Sequence, residues 1–216
     1  ASKTETKAGP ILNGLWVTLK ISFFAAILTF IIGVIVAMMK MSAVVFLRDI
    51  ATVYITIVRG TPLLVQIFLF YFIVANIFEL ERFIAGVLSL GIFFGAYMAE
   101  ILRGAIQSID KGQLEAANSL GISKYQAMRY IILPQAFKRA LPTLVGEMIA
   151  LIKDSSLVSV ISITDLTKVG KEIVANTFSP FETWIVVALL YLCITSSLSL
   201  IGHRLEVKMK AKGGMS

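Results

Sequence analysis

Glu147, Lys153 and Asp154 interrupt an apolar block that runs from about Leu141 to Ile163. If that block lies in a bilayer, each such charge at mid-depth costs about 2.5 to 3.5 kcal/mol, more than a Leu, Ile or Val returns at about 0.3 to 0.6 kcal/mol. The block must therefore turn these groups toward protein or a water-filled path. Glu147 and Asp154 are seven residues apart and share a helical face. Two carboxylates beside an ammonium suit a solute that carries charges of its own. Asp154-Ser155-Ser156 marks a break in the helix, where freed backbone groups, with Ser155, meet a solute's carboxylate and ammonium. A structural pairing of Lys153 with one carboxylate, anchoring the helix in a bundle, stands level with this reading.

A second set of polar residues sits in other apolar blocks. Glu100 and Arg103 are three apart near one end of a block, and Arg59 lies near the same end of another, which reads as gating or structural charge. Gln66 and Tyr97 offer polar contacts along a path, and Asn76 sits close to an interface. His203 and Cys193 are the only residues of their kinds, so neither a histidine nor a thiolate metal site can be assembled. No grouping of nucleophile, base and oxyanion donors appears, and the chain is read as no enzyme.

The elements that must hold these residues follow from composition. Of 216 residues, 57% are hydrophobic and 15% charged, and mean hydropathy is +0.87, which fits a membrane protein and not an ordinary soluble domain. The net charge of +7 is scattered between apolar blocks and forms no basic surface interleaved with aromatics, which argues against nucleic acid. About five blocks reach the roughly 20 residues a bilayer core requires. They run from about Leu12 to Met39, Tyr54 to Phe78, Phe83 to Leu102, Leu141 to Ile163 and Thr183 to Gly202. Lys20 can snorkel from the first. Gly91, Gly95 and Ala99 give the third a small face for close packing inside the bundle.

The expected fold is all-α and polytopic, one transmembrane domain over residues 11–205. Residues 1–10, opening without methionine, are set apart as an outside, trimmed or processed extension, and 206–216 as a basic cytoplasmic tail. Lys40, Arg48, the basic residues of the long loop at about 104–139, and Arg204, Lys208, Lys210 and Lys212 fall on one side. By the positive-inside rule that side is cytoplasmic, with the N-terminus outside and the C-terminus inside. Lys3, Lys7, Arg82, Lys168 and Lys171 face the other way, mixed with glutamates.

The long cytoplasmic loop is amphipathic and prone to helix. Glu115, Ala116 and Ala117 put small side chains on a short helix that Gly121 ends in the left-handed conformation, and Ser123 caps a second one. Small residues let such a helix sit in a partner's groove, while the flanking helices carry its displacement to the spans. A plain surface loop is the simpler alternative.

Glu115-Ala116-Ala117, three residues, Gly121, nine residues, Ile131, one residue, Leu133-Pro134 resembles the cytoplasmic signature of binding-protein-dependent ABC importer permeases. Arg59-Gly60-Thr61-Pro62-Leu63-Leu64-Val65-Gln66, Ala99-Glu100-Ile101-Leu102-Arg103-Gly104 and Leu133-Pro134-Gln135-Ala136 resemble the polar amino acid branch of that family, over about residues 10 to 205. The resemblance implies a bacterial inner-membrane importer half. It pairs with a second permease copy or homologue, two cytoplasmic ATPases received at Glu115 to Gly121, and an extracellular or periplasmic solute-binding protein. It implies no cofactor on this chain, ATP and Mg belonging to the ATPases, and the absence of G-x-x-x-x-G-K-[ST] agrees. The substrate would be a polar amino acid, and two carboxylates near one lysine lean toward a cationic one. An ion-coupled carrier or channel, and a membrane scaffold that recruits a soluble partner through the loop, are the rival functions.

Overall fold

A computed structural model describes residues 2–211 of the chain, and the side chains of residues 8–209. Ala1 and the last five residues of the basic tail, 212–216, lie outside the described residues. Every regular element among the described residues is helical, which is the expected class.

Helix α1 (Ser2–Lys40) is continuous through Pro10, so the residues set apart as an extension belong to the same rod as the first apolar block. At 1.5 Å per residue its 39 residues reach about 58 Å, well beyond a bilayer core of about 30 Å. Helix α2 (Val45–Arg59) and α3 (Leu63–Ala75) meet at a bend of 107°. The second apolar block is thus a broken element and not one straight helix. Its sequence explains the correction. Pro62 has no N–H to continue the ladder and pushes Thr61 out of the helical region, and Gly60 before them weakens the turn. The last six residues of α3, Phe70–Ala75, widen into a π-helix.

Helix α4 (Arg82–Gln107) is the central element, packed along α1, α2, α3 and α7. Its contact with α1 is the most extensive in the molecule, and the small face supplies it. A Cβ built on Gly91 would lie 2.5 Å from Leu28 Cδ2, and one on Gly95 would lie 2.6 Å from Ile32 Cγ2. On α1, Gly33 is in the same way pressed against Met98. Backbones approach where side chains are missing, and internal packing is indeed where the small face goes. Tyr54 on α2 donates to the Ile92 carbonyl at 2.5 Å and fixes α2 to α4.

Helix α5 (Lys111–Ser119) and α6 (Lys124–Ala127), followed by a π-turn at Met128–Ile132, form the long loop. Helix α7 (Leu133–Asp154) begins eight residues before the expected apolar block, with Pro134 in its first turn where a missing N–H does no harm. It ends at Asp154 in a 3-10 segment, Ser155–Ile161. Helix α8 (Leu166–Thr177) lies against α1, and α9 (Pro180–Ala211) closes the chain. By length and apolarity α1, α4 and α9 can cross a membrane, and the bent α2–α3 pair adds a fourth. Helix α7 has 22 residues but carries five charges, Lys138, Arg139, Glu147, Lys153 and Asp154. It packs between α4 and α9, as a charged helix in a membrane must.

Candidate functional site

The bend between α2 and α3 organises one cluster. Gln66 is 5% exposed, and its amide nitrogen donates to the Val58 carbonyl at 2.8 Å, to Thr61 Oγ1 at 2.8 Å and to the Thr61 carbonyl at 3.3 Å. It satisfies the carbonyls that the break strips of helical partners. Both hydrogens of its amide nitrogen are spent on the bend, so Gln66 holds the backbone there. The bend leaves Arg59 at the end of α2, where its guanidinium lies 5.0 Å from the Tyr97 ring centroid and 4.0 Å from Glu100 Oε2. Arg103 grips Glu100 through both nitrogens of its fork, Nε at 3.0 Å and Nη2 at 2.7 Å. Arg59, Tyr97, Glu100 and Arg103 thus form one cluster, with the Tyr97 ring beside the three charges.

Glu147 and Asp154 are half-buried on α7, and Lys153 is exposed. Among the described residues, none of the three has an ion-pair partner within 4.0 Å, so the expected pairing of Lys153 with a carboxylate is not formed. The helix breaks at Asp154 and Ser155, as the sequence suggests. Ser155 itself is fully buried and donates back to the Ile152 carbonyl at 2.7 Å, so it seals the break and does not face a path. Asn76 likewise donates to the Phe72 carbonyl of its own helix.

At the far end of α4 and α7 the loop is fully capped. Asp110 accepts from the Gly112 N–H at 2.6 Å and starts α5. The helix ends with Ile122 N–H donating to the Ala117 carbonyl and Gly121 N–H to the Asn118 carbonyl, both at 3.0 Å, with Gly121 at φ +78°. That is a Schellman ending, which needs a left-handed residue at the Gly121 position. Ser123 and Gln126 exchange the reciprocal bonds of a capping box. Glu115 and Ala116 are exposed, whereas Ala117 is buried against the chain itself. Only Ala116 of the two alanines is therefore available to another surface. Arg139 on α7 donates to the carbonyl and hydroxyl oxygens of Ser108 at the end of α4, joining the two helices at the base of the loop.

One network was not visible in the sequence. Asp165 is fully buried at the start of α8, accepting from the N–H groups of Thr167 at 3.1 Å and Lys168 at 3.0 Å. Burial pushes its carboxyl up from the ordinary range, against the pull of those bonds. Thr18 on α1 accepts from Leu166 N–H at 3.1 Å, and Thr167 shares a hydrogen bond with Tyr191 on α9 at 3.1 Å. The site joins α1, α8 and α9. The helix-capping pattern at Asp165-Leu166-Thr167 was its one local signal.

The chain matches the family model of binding-protein-dependent transport system inner membrane components over residues 29–211. It is 40% identical over 203 residues to the glutamine transport system permease protein GlnP of Escherichia coli strain K12, covering 93% of each. It is 37% identical over 203 residues to the arginine transport system permease protein ArtQ of Bacillus subtilis strain 168, again covering 93% of each. The crystal structure of an amino acid ABC transporter with histidines superposes with a TM-score of 0.88 at 40% identity, over 95% of this chain and 96% of that one. An inward-facing structure of the MetNI methionine ABC transporter shares the fold, with a TM-score of 0.79 at 17% identity, over 97% of this chain and 99% of that one. The broken and charged helices described above are therefore those of a transport permease, and the chain belongs to the family of binding-protein-dependent transport system inner membrane components.

Proposed function

We propose that this chain is the permease subunit of an ATP-driven importer for polar amino acids. It translocates substrate by alternating access, driven by an ATPase dimer that docks on α5. The observation that carries this reading is the α5–α6 cap, internally bonded at both ends and continuous with α4 and α7, which Arg139 joins to each other through Ser108. A rigid body fastened to two packed helices moves them together. ATP and Mg act on the partner ATPases, and a solute-binding protein delivers substrate from the opposite face. Two copies of the chain, or this chain and a homologue, enclose the pathway. Helix α7 serves as the fifth crossing, with the N-terminus outside and the C-terminus in the cytoplasm, as the placement of lysine and arginine supports.

Glu147 and Asp154 line the pathway in this reading, since carboxylates without an ionic partner in a membrane helix require water or a charged solute. They favour a solute with an ammonium group, and Lys153 beside them meets a carboxylate. The Arg59–Glu100–Arg103 cluster closes the cytoplasmic end. A glutamine or arginine substrate agrees with the named relatives, and the carboxylates lean toward the cationic one.

The test is uptake of labelled amino acids into proteoliposomes holding this chain with its ATPase and binding protein, comparing wild type with Gly121→Asp. Any side chain strains the φ +78° of the Schellman ending, and aspartate adds a negative charge to the surface that meets the ATPase in this reading. ATP-dependent uptake that the substitution abolishes supports the reading. Uptake that persists without ATP or ATPase sinks it and favours an ion-coupled carrier.

A further inference from the structure

Helix α7 holds one residue for which its own chain supplies no packing reason. Gly146 lies in mid-helix, where glycine is poorer than alanine because its backbone has more freedom to lose. Elsewhere a mid-helix glycine answers to a close neighbour. A Cβ on Gly14 would lie 2.8 Å from Val169, one on Gly86 2.8 Å from Ile163, and one on Gly202 2.5 Å from Val145. A Cβ on Gly146 would meet nothing within 4 Å among the described residues, and the positive φ that accounts for Gly121 is absent there. Gly9 and Gly104 are as open, but they lie toward the ends of α1 and α4.

The neighbours of α7 occupy its other side. Val145 meets Gly202 of α9, Leu144 shares a buried cluster with Met98 of α4, and Leu151 lies in the core with Ile21 of α1. Thr143, Gly146 and Lys153 are exposed, whereas Glu147 and Asp154 are half-buried. At 3.6 residues per turn, Lys153 projects about 20° to one side of Gly146, and Asp154 and Glu147 about 80° and 100° to the other. Glu147 is nearly level with Gly146, and Lys153 and Asp154 stand about 10 to 12 Å farther along the axis. The bare backbone at Gly146 thus lies between an ammonium on one flank and carboxylates on the other. None of the three charges has an ion-pair partner within 4.0 Å among the described residues.

We propose, on the reading that α7 lines the pathway, that Gly146 determines which amino acids pass, its missing side chain making room for that of the solute. Charge complementarity selects the occupant. Lys153 and Asp154, opposite in sign on one turn, suit the carboxylate and ammonium of an α-amino acid. Its side chain then runs along α7 over Gly146, and Glu147 meets the far end. Such a spacing fits a long side chain that ends in a positive charge or a hydrogen-bond donor. A methyl group at position 146 would displace nothing in the chain itself and would narrow only the space the solute takes.

The experiment uses the transporter assembled with its ATPase and binding protein in proteoliposomes. Gly146→Ala should keep or raise the thermal unfolding midpoint, since alanine is the better helix former and no neighbour is displaced. The same variant should lower maximal uptake of labelled arginine or glutamine about tenfold, the worth of one extra methylene-sized group in a close-fitting site. A role in packing alone would move the two readouts together. Gly146→Cys in a Cys193→Ser background leaves this chain a single thiol, whose alkylation by a maleimide is followed by mass spectrometry without ATP. Arginine or glutamine, whichever the wild type takes up, should slow that alkylation severalfold, and its decarboxylated amine should not. An unprotected thiol with unchanged uptake in Gly146→Ala means a face open to water or lipid only and overturns the proposal. Disulfide cross-linking of two copies through Gly146→Cys, with a lowered midpoint in Gly146→Ala, means that a second copy packs on the bare backbone and overturns it as well. A wild type without ATP-driven uptake sinks the importer reading separately, and protection of the thiol by either amino acid still decides the role of Gly146.

Discussion

The molecule breaks its helices in two places and treats the two breaks differently. At Gly60-Thr61-Pro62 the buried Gln66 amide answers the freed oxygens, and the Arg59 charge released at the helix end is collected by Tyr97 and Glu100. At Asp154-Ser155 only Ser155 turns inward to repair the backbone, while Glu147 and Asp154 keep no ionic partner. A closed polar network holds a shape. An open one keeps charges that a visiting solute can meet. In the proposed function the first break is support and the second is substrate contact.

The largest effect that tests the contrast is on stability at the first break. Gln66→Leu leaves the buried Val58 carbonyl without its side-chain donor, and should lower stability by about 2 kcal/mol, read as a fall in the thermal unfolding midpoint in detergent. A tolerated Gln66→Leu would break the contrast. At the second break the expected signature is reversed. Glu147→Gln or Asp154→Asn should reduce uptake about tenfold, or about 1.4 kcal/mol, without lowering the unfolding midpoint, since no ion pair is lost. Equal uptake in both variants would remove these carboxylates from the pathway. A milder effect belongs to the cap. Gly121→Ala, which keeps the backbone short of a bulky clash but opposes the positive φ, should cost about 1 kcal/mol of stability and slow ATP-driven uptake modestly. Smallest of all, Lys153→Gln should change stability by less than about 0.5 kcal/mol, as an exposed and unpaired lysine does. A larger loss would show the structural pairing that the side-chain geometry lacks.

What the sequence made legible was local. Gly121 and Ser123 declare their caps because each bond closes within a few residues, and the Gly91, Gly95 and Ala99 spacing declares a close contact because helical periodicity alone brings it to one face. The charges on α7 were readable from the cost of burying them. The bend at Pro62 was hidden inside a quoted motif because hydropathy averages over a proline. Side-chain type does not tell that the Gln66 amide nitrogen and the Ser155 hydroxyl are bonded to backbone carbonyls, or that the Tyr97 ring lies beside Arg59. Ala117 shared a motif with Ala116 yet faces the other way, a distinction that only the α5–α6 contact makes. The Asp165 network was least legible, since Thr18 and Leu166 meet across 148 residues, and no local pattern carries such a distance.

The interlocked contact between α1 and α4 has a consequence in time. Gly33 meets Met98, 65 residues later in the chain, and at synthesis rates of about 5 to 20 residues per second the second partner emerges about 3 to 13 s after the first. Through that interval α1 stands in the bilayer without α4. Its charge-free run between Lys20 and Lys40 is what lets it wait. The order of insertion therefore demands more apolarity of α1 than the finished structure does, and the exposed Phe23, Phe30 and Ile31 that persist on its outer face preserve the terms on which the helix entered the membrane.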